Sequence, residues 1–319
     1  MTHKKFLLSL PLLISLVGCG SEKKELIIYN TFMQYVNNYD YSNAYALLDE
    51  TQSVYMSDKD LEDCLYYIDY DLVPAKKIVK EENLWKFYDN NDNVFYTMSG
   101  NVLSSNDKLI IPDFYTSLDL YVPTGSICKY NDIELNSDLL TSTNDIETTY
   151  TIKAPLSKGK LSIYNELFGN YEREVDPIVG DFNDFEISNE VLNELSNVVI
   201  NEINKINNLL ETDTESFKNE IKKFESNTEA DKLISHILDN RRLSDSFTSY
   251  HSPVYRIVDL DFEFETSEAI KLSVDFKIDW VIGEGKYTSM NNKGEFILSH
   301  DTSWNVSDIN DWSFMILSL

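Results

Sequence analysis

Near the C-terminus of this 319-residue chain, apolar residues recur at every second position. They are Ile270, Leu272, Val274, Phe276, Ile278, Trp280 and Ile282. A period of two places all of these side chains on one face of a β-strand. This pattern predicts a long strand in an antiparallel sheet that covers a core on one side and meets water on the other.

Helical periodicity precedes this strand. Ser188 opens a predicted long helix whose apolar stripe is Leu192, Leu195, Val199, Ile203, Ile206 and Leu210. Two further helices are indicated by Phe217–Phe224 and by the capping pattern that starts at Thr228. A turn at Gly283-Glu-Gly285 and strands at Phe296–Leu298 and Trp304–Val306 complete a predicted meander. Helices followed by a strand meander predict an α+β domain over residues 187–319.

Residues 19–112 repeat this order. A first helix has Leu26, Tyr29, Phe32 or Met33, and Val36 at helical spacing, and Ala44–Leu48 indicates a second. Ser57-Asp-Lys-Asp60 has the capping-box pattern of a third helix start. Short β-type runs then follow at Lys77–Lys80, Leu84–Tyr88, Val94–Met98 and Leu109–Ile111.

Residues 113–186 have a different pattern. Short apolar runs alternate with turn-rich segments such as Pro123-Thr-Gly-Ser126 and Asn131-Asp132. Strands separated by turns every eight to twelve residues predict a small all-β module.

The segment Phe32–Asp49, followed by Ser57–Leu61, resembles the opening of an NTF2-like domain. Such domains occur at the N-terminus of transpeptidases similar to the methicillin-resistance penicillin-binding protein. The resemblance implies three helices and a curved antiparallel sheet for residues 19–112. The same order implies a second NTF2-like domain at residues 187–319.

Val122-Pro-Thr-Gly-Ser-Ile127 and Leu167-Phe-Gly-Asn-Tyr171 resemble segments in the middle β domains of TcaA-like, teicoplanin-resistance-associated envelope proteins. The order of the modules is similar to the extracytoplasmic part of that family. The resemblance implies a protein that binds a cell-envelope component connected with wall synthesis or antibiotic stress. The zinc ribbon and transmembrane helix of that family have no counterpart in the pattern of this sequence.

The first 20 residues predict where the protein works. Lys4 and Lys5 precede a short apolar run from Phe6 to Val17, which is typical of a secretory signal and too short to span a bilayer. Leu16-Val17-Gly18-Cys19 resembles the lipobox of bacterial lipoproteins. Residues 1–18 are thus predicted to be a signal peptide, with Cys19 acylated and the chain anchored to the membrane outside the cytoplasm.

Acidic residues dominate the charge. The chain has 54 acidic and 27 basic side chains, and removal of Lys4 and Lys5 with the signal peptide leaves a net charge of −29. This charge disfavours nucleic acid and anionic headgroups as partners. Solubility is its usual role, and attraction of a cationic partner is the alternative.

Patterns of the common catalytic motifs are missing from the sequence. His-Glu-x-x-His, Gly-x-Ser-x-Gly and Cys-x-x-Cys do not occur, and His236, His251 and His300 are isolated. Asp89-Asn-Asn-Asp-Asn93 lacks the glycine and glutamate of a calcium loop. We therefore expect a non-enzymatic protein without a metal or cofactor.

Three features leave alternatives open. Cys64 and Cys128 are either one disulfide or two buried thiols. The carboxylates in residues 259–265 form the solvent-exposed face of a strand, or else they bind a cation or a basic partner. The NTF2-like cone at residues 187–319 is a filled core or, as in a small-ligand receptor or enzyme, a pocket lined by Tyr255, Phe276 and Trp280. A spacer that presents a distal surface is a further alternative.

Overall fold

The computed structural model describes residues 22–68, 72–245, 253–282 and 286–315. The chain divides into two compact units, which are described separately. The N-terminal unit contains the described residues up to 117 together with 153–158 and 176–178. The C-terminal unit contains 118–152, 159–175 and the described residues from 179 onward, so most of the predicted middle module groups with the C-terminal helices and sheet.

The N-terminal unit begins with the three predicted helices. They are α1 (Glu22–Asn37), α2 (Tyr41–Tyr45) and α3 (Leu61–Tyr67), and α2 lies three residues earlier than the predicted Ala44–Leu48. The apolar stripe of α1 is buried as predicted, since Tyr29, Phe32 and Met33 are at most 2% exposed. The stripe joins a core that includes Leu61, Cys64 and Leu65 of α3.

The capping-box prediction placed the start of α3 too early. The helix begins at Leu61, because Asp60 Oδ2 accepts hydrogen bonds from the Ser57 backbone N–H at 2.7 Å and from its hydroxyl at 2.6 Å. The acidic residue of the capping box, Asp60, bonds to Ser57 as the pattern predicts, but the bond stabilises a turn that precedes the helix.

A three-stranded antiparallel sheet completes this unit. Its strands follow one another in the order β1 (Lys77–Glu81), β2 (Leu84–Tyr88) and β3 (Val94–Ser99). The predicted strand at Leu109–Ile111 was wrong: Leu109 makes only isolated bridges to Leu48 and Leu103. The sheet packs Trp85, Phe87 and Met98 into the same core as α1.

Short strands follow, and all of their residues except 115–117 and 153–155 belong to the C-terminal unit. They are β4 (Tyr115–Pro123), β5 (Ile127–Tyr130), β6 (Ile133–Glu134), β7 (Leu140–Thr143), β8 (Glu147–Pro155), β9 (Gly159–Asn165) and β10 (Gly169–Val175). One sheet has the order β4-β8-β7 and the other the order β10-β9-β5-β6. The predicted short strands are confirmed, and β7, whose residues are all exposed, was not predicted.

Three helices come next in this unit. They are α4 (Asn189–Thr212), α5 (Thr214–Phe224) and α6 (Asn227–Asp245). Ser188 caps α4, and its hydroxyl accepts a hydrogen bond from the Val191 N–H at 3.4 Å. The predicted stripe is confirmed, because five of its six members are buried and Leu192 is half-buried.

A four-stranded antiparallel sheet forms the other layer. Its strands follow in chain order: β11 (Val254–Thr266), β12 (Ala269–Ile282), β13 (Lys286–His300) and β14 (Trp304–Asp311). The predicted alternation is confirmed from Ile270 to Ile278, whose five apolar side chains are at most 1% exposed. The predicted turn at 283–285 lies outside the described residues.

Gly294 lies in the middle of β13, paired with Val274 of β12. A Cβ atom at this position would lie 2.7 Å from the ring of Phe296, 2.9 Å from Phe314 and 3.1 Å from Phe276. The three rings are at most 1% exposed. The missing side chain of Gly294 therefore leaves room for three aromatic rings to pack on one point of the strand.

Candidate functional site

Cys19, the predicted acylation site, lies outside the residues that the structure describes, as does the predicted signal peptide. Within the described ranges, no helix combines the length and the apolar character needed to cross a bilayer. The lipid anchor thus stays a prediction from the sequence.

The core-facing side of the C-terminal sheet is filled where side chains are described. Phe276 is fully buried and Tyr255 is 7% exposed. The ring of Phe276 lies 6.1 Å from that of Tyr255 and 5.8 Å from that of Phe314. The side chain of Trp280 is not among those that the structure describes. The described rings pack against one another as a core does.

A small hollow of about 230 Å³ lies beside Phe276, bordered by Val258, Asp275 and Lys293. Its charged groups already form an ion pair, with Lys293 Nζ 3.0 Å from the Asp275 carboxylate. Pockets for small ligands usually enclose about 300–1,000 Å³. This hollow is below that range, so it gives weak support to a ligand pocket.

A larger groove of about 530 Å³ lies between α4, α5 and β14. Glu220 of α5, only 6% exposed, lies at its edge. Its carboxylate pairs with Lys205 Nζ of α4 at 2.7 Å and with Lys223 Nζ at 2.6 Å. Burial opposes ionisation of Glu220, but its two lysine partners outweigh burial and lower the pKa of this carboxyl below its usual value. The network joins α4 to α5, and its charges satisfy one another.

The two described histidines show no catalytic arrangement. His236 is exposed on α6, and the ring of His300 makes an edge contact with Trp304 at 5.2 Å between centroids. His251 lies outside the described residues. In the described part of the chain, no group of three His, Cys, Asp or Glu residues is arranged to hold a metal ion.

The carboxylates of β11 lie on the solvent-exposed face of its sheet. Asp259, Asp261, Glu263 and Glu265 are exposed, whereas the intervening Leu260, Phe262 and Phe264 pack against the core. Lys271 of β12 pairs with Glu263 at 2.5 Å. β11 is an edge strand, and charges on such a strand discourage pairing with other chains.

The loop at 89–93 is a hairpin connection between β2 and β3. Asp89 Oδ1 accepts hydrogen bonds from the backbone N–H groups of Asn91 and Asn93, each at 2.8 Å. The bond from Asn93 contributes most to the lowered pKa of Asp89. The carboxylate thus stabilises the turn itself, as expected for a polar hairpin loop.

Cys64 and Cys128 are both free and buried in the structure. Burial raises the pKa of each thiol to about 12. The Sγ atom of Cys64 also lies 3.7 Å from the Phe114 carbonyl oxygen, to which it donates. Thiols in such surroundings are protonated and unreactive near neutral pH.

The helices of the N-terminal unit expose an unusual group of tyrosines. Tyr39 is 79% exposed, Tyr66 66% and Tyr67 39%. The ring of Tyr39 lies 6.4 Å from that of Tyr41, and the rings of Tyr66 and Tyr67 are 5.7 Å apart. Both pairs have edge-to-face geometry.

Glu62 connects these two pairs. The Tyr41 hydroxyl donates to Glu62 Oε1 at 3.3 Å, and Glu62 lies one helical turn before Tyr66 on α3. We call Tyr39, Tyr41, Glu62, Tyr66 and Tyr67 the tyrosine surface. It combines the exposed rings of Tyr39, Tyr66 and Tyr67 with the half-buried ring of Tyr41.

Carboxylates flank this surface. Asp40 follows Tyr39 and caps α2, and the exposed Asp63 lies on the same short helix as Tyr66 and Tyr67. The charge of Asp176 contributes most to the raised pKa of Tyr67, followed by burial and the charge of Asp63, whereas Lys158 lowers it. The two carboxylates outweigh the lysine, so the ring of Tyr67 lies in a negative field.

The backbone at Tyr39 is equally unusual. Tyr39 has a φ of 57°, the left-handed conformation that glycine adopts at the end of many helices. Its N–H bonds to the Val36 carbonyl at 3.0 Å, and the Asp40 N–H bonds to the Tyr35 carbonyl at 3.0 Å. This arrangement is a Schellman motif with tyrosine in the position that favours glycine. The most exposed ring of the surface thus stands where a side chain is a cost to folding.

The sequence contained a signal for this surface that we did not interpret as a site. Residues 38–71 include seven of the 20 tyrosines and nine acidic side chains, with Lys59 as their one basic residue. The sequence pattern shows the enrichment but not the exposure of the rings.

Comparison with known proteins does not assign the chain to a family. No protein-family model matches it, and no curated protein matches its sequence. The tyrosine surface is therefore interpreted from its geometry alone.

Proposed function

We propose that this chain is a lipid-anchored, non-enzymatic protein that binds a component of the bacterial cell envelope outside the cytoplasm. The observation that carries the proposal is the tyrosine surface. Tyrosine side chains offer a large contact area with few rotatable bonds and are enriched where proteins bind partners. Large exposed aromatic groups contribute little to folding, so contact with another molecule is the better explanation for them.

The location follows from the lipobox-like residues Leu16–Cys19. Two acyl chains at Cys19 hold a protein stably on a membrane, whereas one chain is marginal. We propose further that each set of three helices and an antiparallel sheet is an NTF2-like domain, and that the module order relates the chain to TcaA-like envelope proteins. A wall-synthesis or antibiotic-stress protein is the proposed kind of partner.

A small-ligand receptor or enzyme at the C-terminal cone is the second candidate. The packing of Phe276 against Tyr255 and Phe314 argues against it, because an open cone needs space that these rings fill. A bound ligand located in that cone by crystallography would favour the receptor or enzyme over the non-enzymatic binding protein.

The anchor is tested by growing cells with an alkyne-tagged palmitate and comparing wild type with Cys19→Ala. We expect the label on wild type and its loss in Cys19→Ala. A wild-type protein without label contradicts the lipid anchor.

Partner binding is tested by crosslinking in living cells followed by mass spectrometry. We expect one envelope protein or wall fragment to be recovered with the anchored chain and to be lost in Tyr39→Gly/Tyr66→Ala. The matched control is Tyr164→Ala, which removes a 50% exposed tyrosine from β9 of the other unit. Recovery that is equal in all forms contradicts binding at the tyrosine surface.

A further inference from the structure

The chemistry of the tyrosine surface indicates what kind of partner it fits. The face of a tyrosine ring carries negative charge density, which attracts an ammonium or guanidinium group placed over it. Glu62 lies inside the surface, and Asp40 and Asp63 lie next to it. Rings and carboxylates together favour a positively charged ligand.

The same unit already uses this interaction within the chain. Lys77 Nζ lies 4.3 Å from the centroid of the Tyr88 ring, and Lys153 Nζ lies 4.7 Å from that of Tyr115. Both of these rings belong to tyrosines that are only partly exposed. The rings of Tyr39 and Tyr66 are more exposed than either, so they are accessible to a cation from outside.

Charge on the surrounding chain selects against other ligands. Residues 38–71 have nine acidic side chains and one lysine, and the whole chain has a net charge of −27. Phosphate-rich polymers and anionic headgroups are repelled by such a field. A neutral glycan can stack on the rings and donate hydrogen bonds to the carboxylates, but it carries no charge for their field to attract.

We propose that the tyrosine surface docks a lysine- or arginine-rich segment of an envelope protein. The inference rests on the proposed function and specifies the partner chemistry of its site. In the docked state, two cationic side chains cover Tyr39 and Tyr66, and Glu62 pairs with a third positive group between them. The attraction also speeds encounter, because the field extends beyond the contact itself.

Tyr39 offers a test in which loss of folding cannot explain loss of binding. Glycine suits the left-handed backbone of residue 39 better than tyrosine does. Tyr39→Gly is therefore expected to melt at the same temperature as wild type or higher, while removing the most exposed ring. Glu62→Gln keeps the shape of the side chain and removes its charge, with the exposed Glu194→Gln on α4 as its matched control.

The measurement is fluorescence anisotropy with the full chain in neutral detergent. The probes are a labelled peptide of six Lys-Gly repeats, a matched peptide of six Glu-Gly repeats and a labelled neutral wall glycan. We expect the Lys-Gly peptide alone to bind. Tyr39→Gly/Tyr66→Ala is expected to weaken it about five-fold to thirty-fold, the loss of two exposed cation–π contacts. Tyr164→Ala and Glu194→Gln are expected to bind as wild type does.

Salt gives an independent readout. Raising ionic strength from 0.05 to 0.5 M is expected to weaken the Lys-Gly complex in wild type and less so in Glu62→Gln, because salt screens exposed charges. Binding of the glycan with the same dependence on Tyr39 and Tyr66 would overturn the basic-segment proposal. So would equal affinity for both peptides.

The two proposals fail separately. If no peptide binds but crosslinking in cells still recovers a partner that depends on Tyr39 and Tyr66, the partner chemistry is wrong and the function stands. If the Lys-Gly peptide binds through these tyrosines but cells yield no partner, the surface has the proposed chemistry and the envelope function is contradicted.

Discussion

Replacing Gly294 by alanine tests the packing of the C-terminal unit. The added methyl group would meet the ring of Phe296 at 2.7 Å, closer than side chains approach in real proteins. Phe276 and Phe314 are buried around the same point, so none of the three rings can move into solvent. Overpacking of this kind typically costs about 1–3 kcal/mol.

Part of this cost is offset, because alanine loses less backbone freedom than glycine on folding, by about 0.4–1 kcal/mol. The expected net loss in the free energy of unfolding is about 1–2 kcal/mol. For a unit of this size the melting temperature falls by about 2–4 °C per kcal/mol, or about 2–8 °C in all. Circular dichroism during heating, together with urea titration, measures both quantities.

The double variant Gly294→Ala/Phe296→Leu provides the control. Phe296→Leu removes ring volume at the point where the methyl group enters, so it is expected to recover part of the lost stability. A double-mutant cycle then gives a favourable coupling energy of more than about 0.5 kcal/mol. A Gly294→Ala protein that is as stable as wild type, or two substitutions whose effects simply add, would refute the packing described around Gly294.

Three further outcomes are expected from other sites. Because burial raises the pKa of the Cys64 and Cys128 thiols to about 12, neither should react with a maleimide at pH 7 in the Cys19→Ala chain, and both should react in urea. Glu220→Gln should lower stability by about 1–2 kcal/mol at pH 7. The pKa of the Glu220 carboxyl is lower in the folded protein than in the unfolded chain. The stability difference between wild type and Glu220→Gln should therefore persist above pH 4.5, the usual pKa of glutamate, and disappear in melts at lower pH. A stability difference that grows in acid would contradict the ion-pair network. The Asp213 carboxylate caps α5 by accepting a hydrogen bond from the Ser216 N–H at 3.1 Å. Asp213→Ala should therefore lower the free energy of unfolding by about 1 kcal/mol in urea titration. An unchanged midpoint would show that the cap does not stabilise the protein.

The C-terminal unit was the most predictable part of the fold. The stripe from Leu195 to Leu210 and the alternation from Ile270 to Ile278 each extend over several periods, so a single exposed residue could not obscure them. Strand β13 was predicted only at Phe296–Leu298. Its preceding positions Met290, Asn292 and Gly294 face the same way as Phe296, and two of the three carry no large apolar side chain.

The candidate site was harder to anticipate from the sequence. Tyrosines occur in cores as well as on surfaces, and Tyr29 and Tyr130 are at most 1% exposed in this chain. What distinguishes Tyr39 and Tyr66 is three-dimensional: the start of α2, next to Tyr39, meets α3 through the hydrogen bond from Tyr41 to Glu62. Sequence spacing alone gives no indication that residues 41 and 62 are in contact.

The left-handed backbone at Tyr39 has a consequence for laboratory evolution. Selection for heat resistance acts on folding alone, so it is expected to enrich Tyr39→Gly and Tyr39→Asn, the residues that this conformation tolerates best. Selection in cells that need the partner should restore an aromatic residue at position 39. The two selections would favour different residues at position 39. Sequencing both populations would show how strongly partner binding, relative to folding stability, favours an aromatic residue at this position.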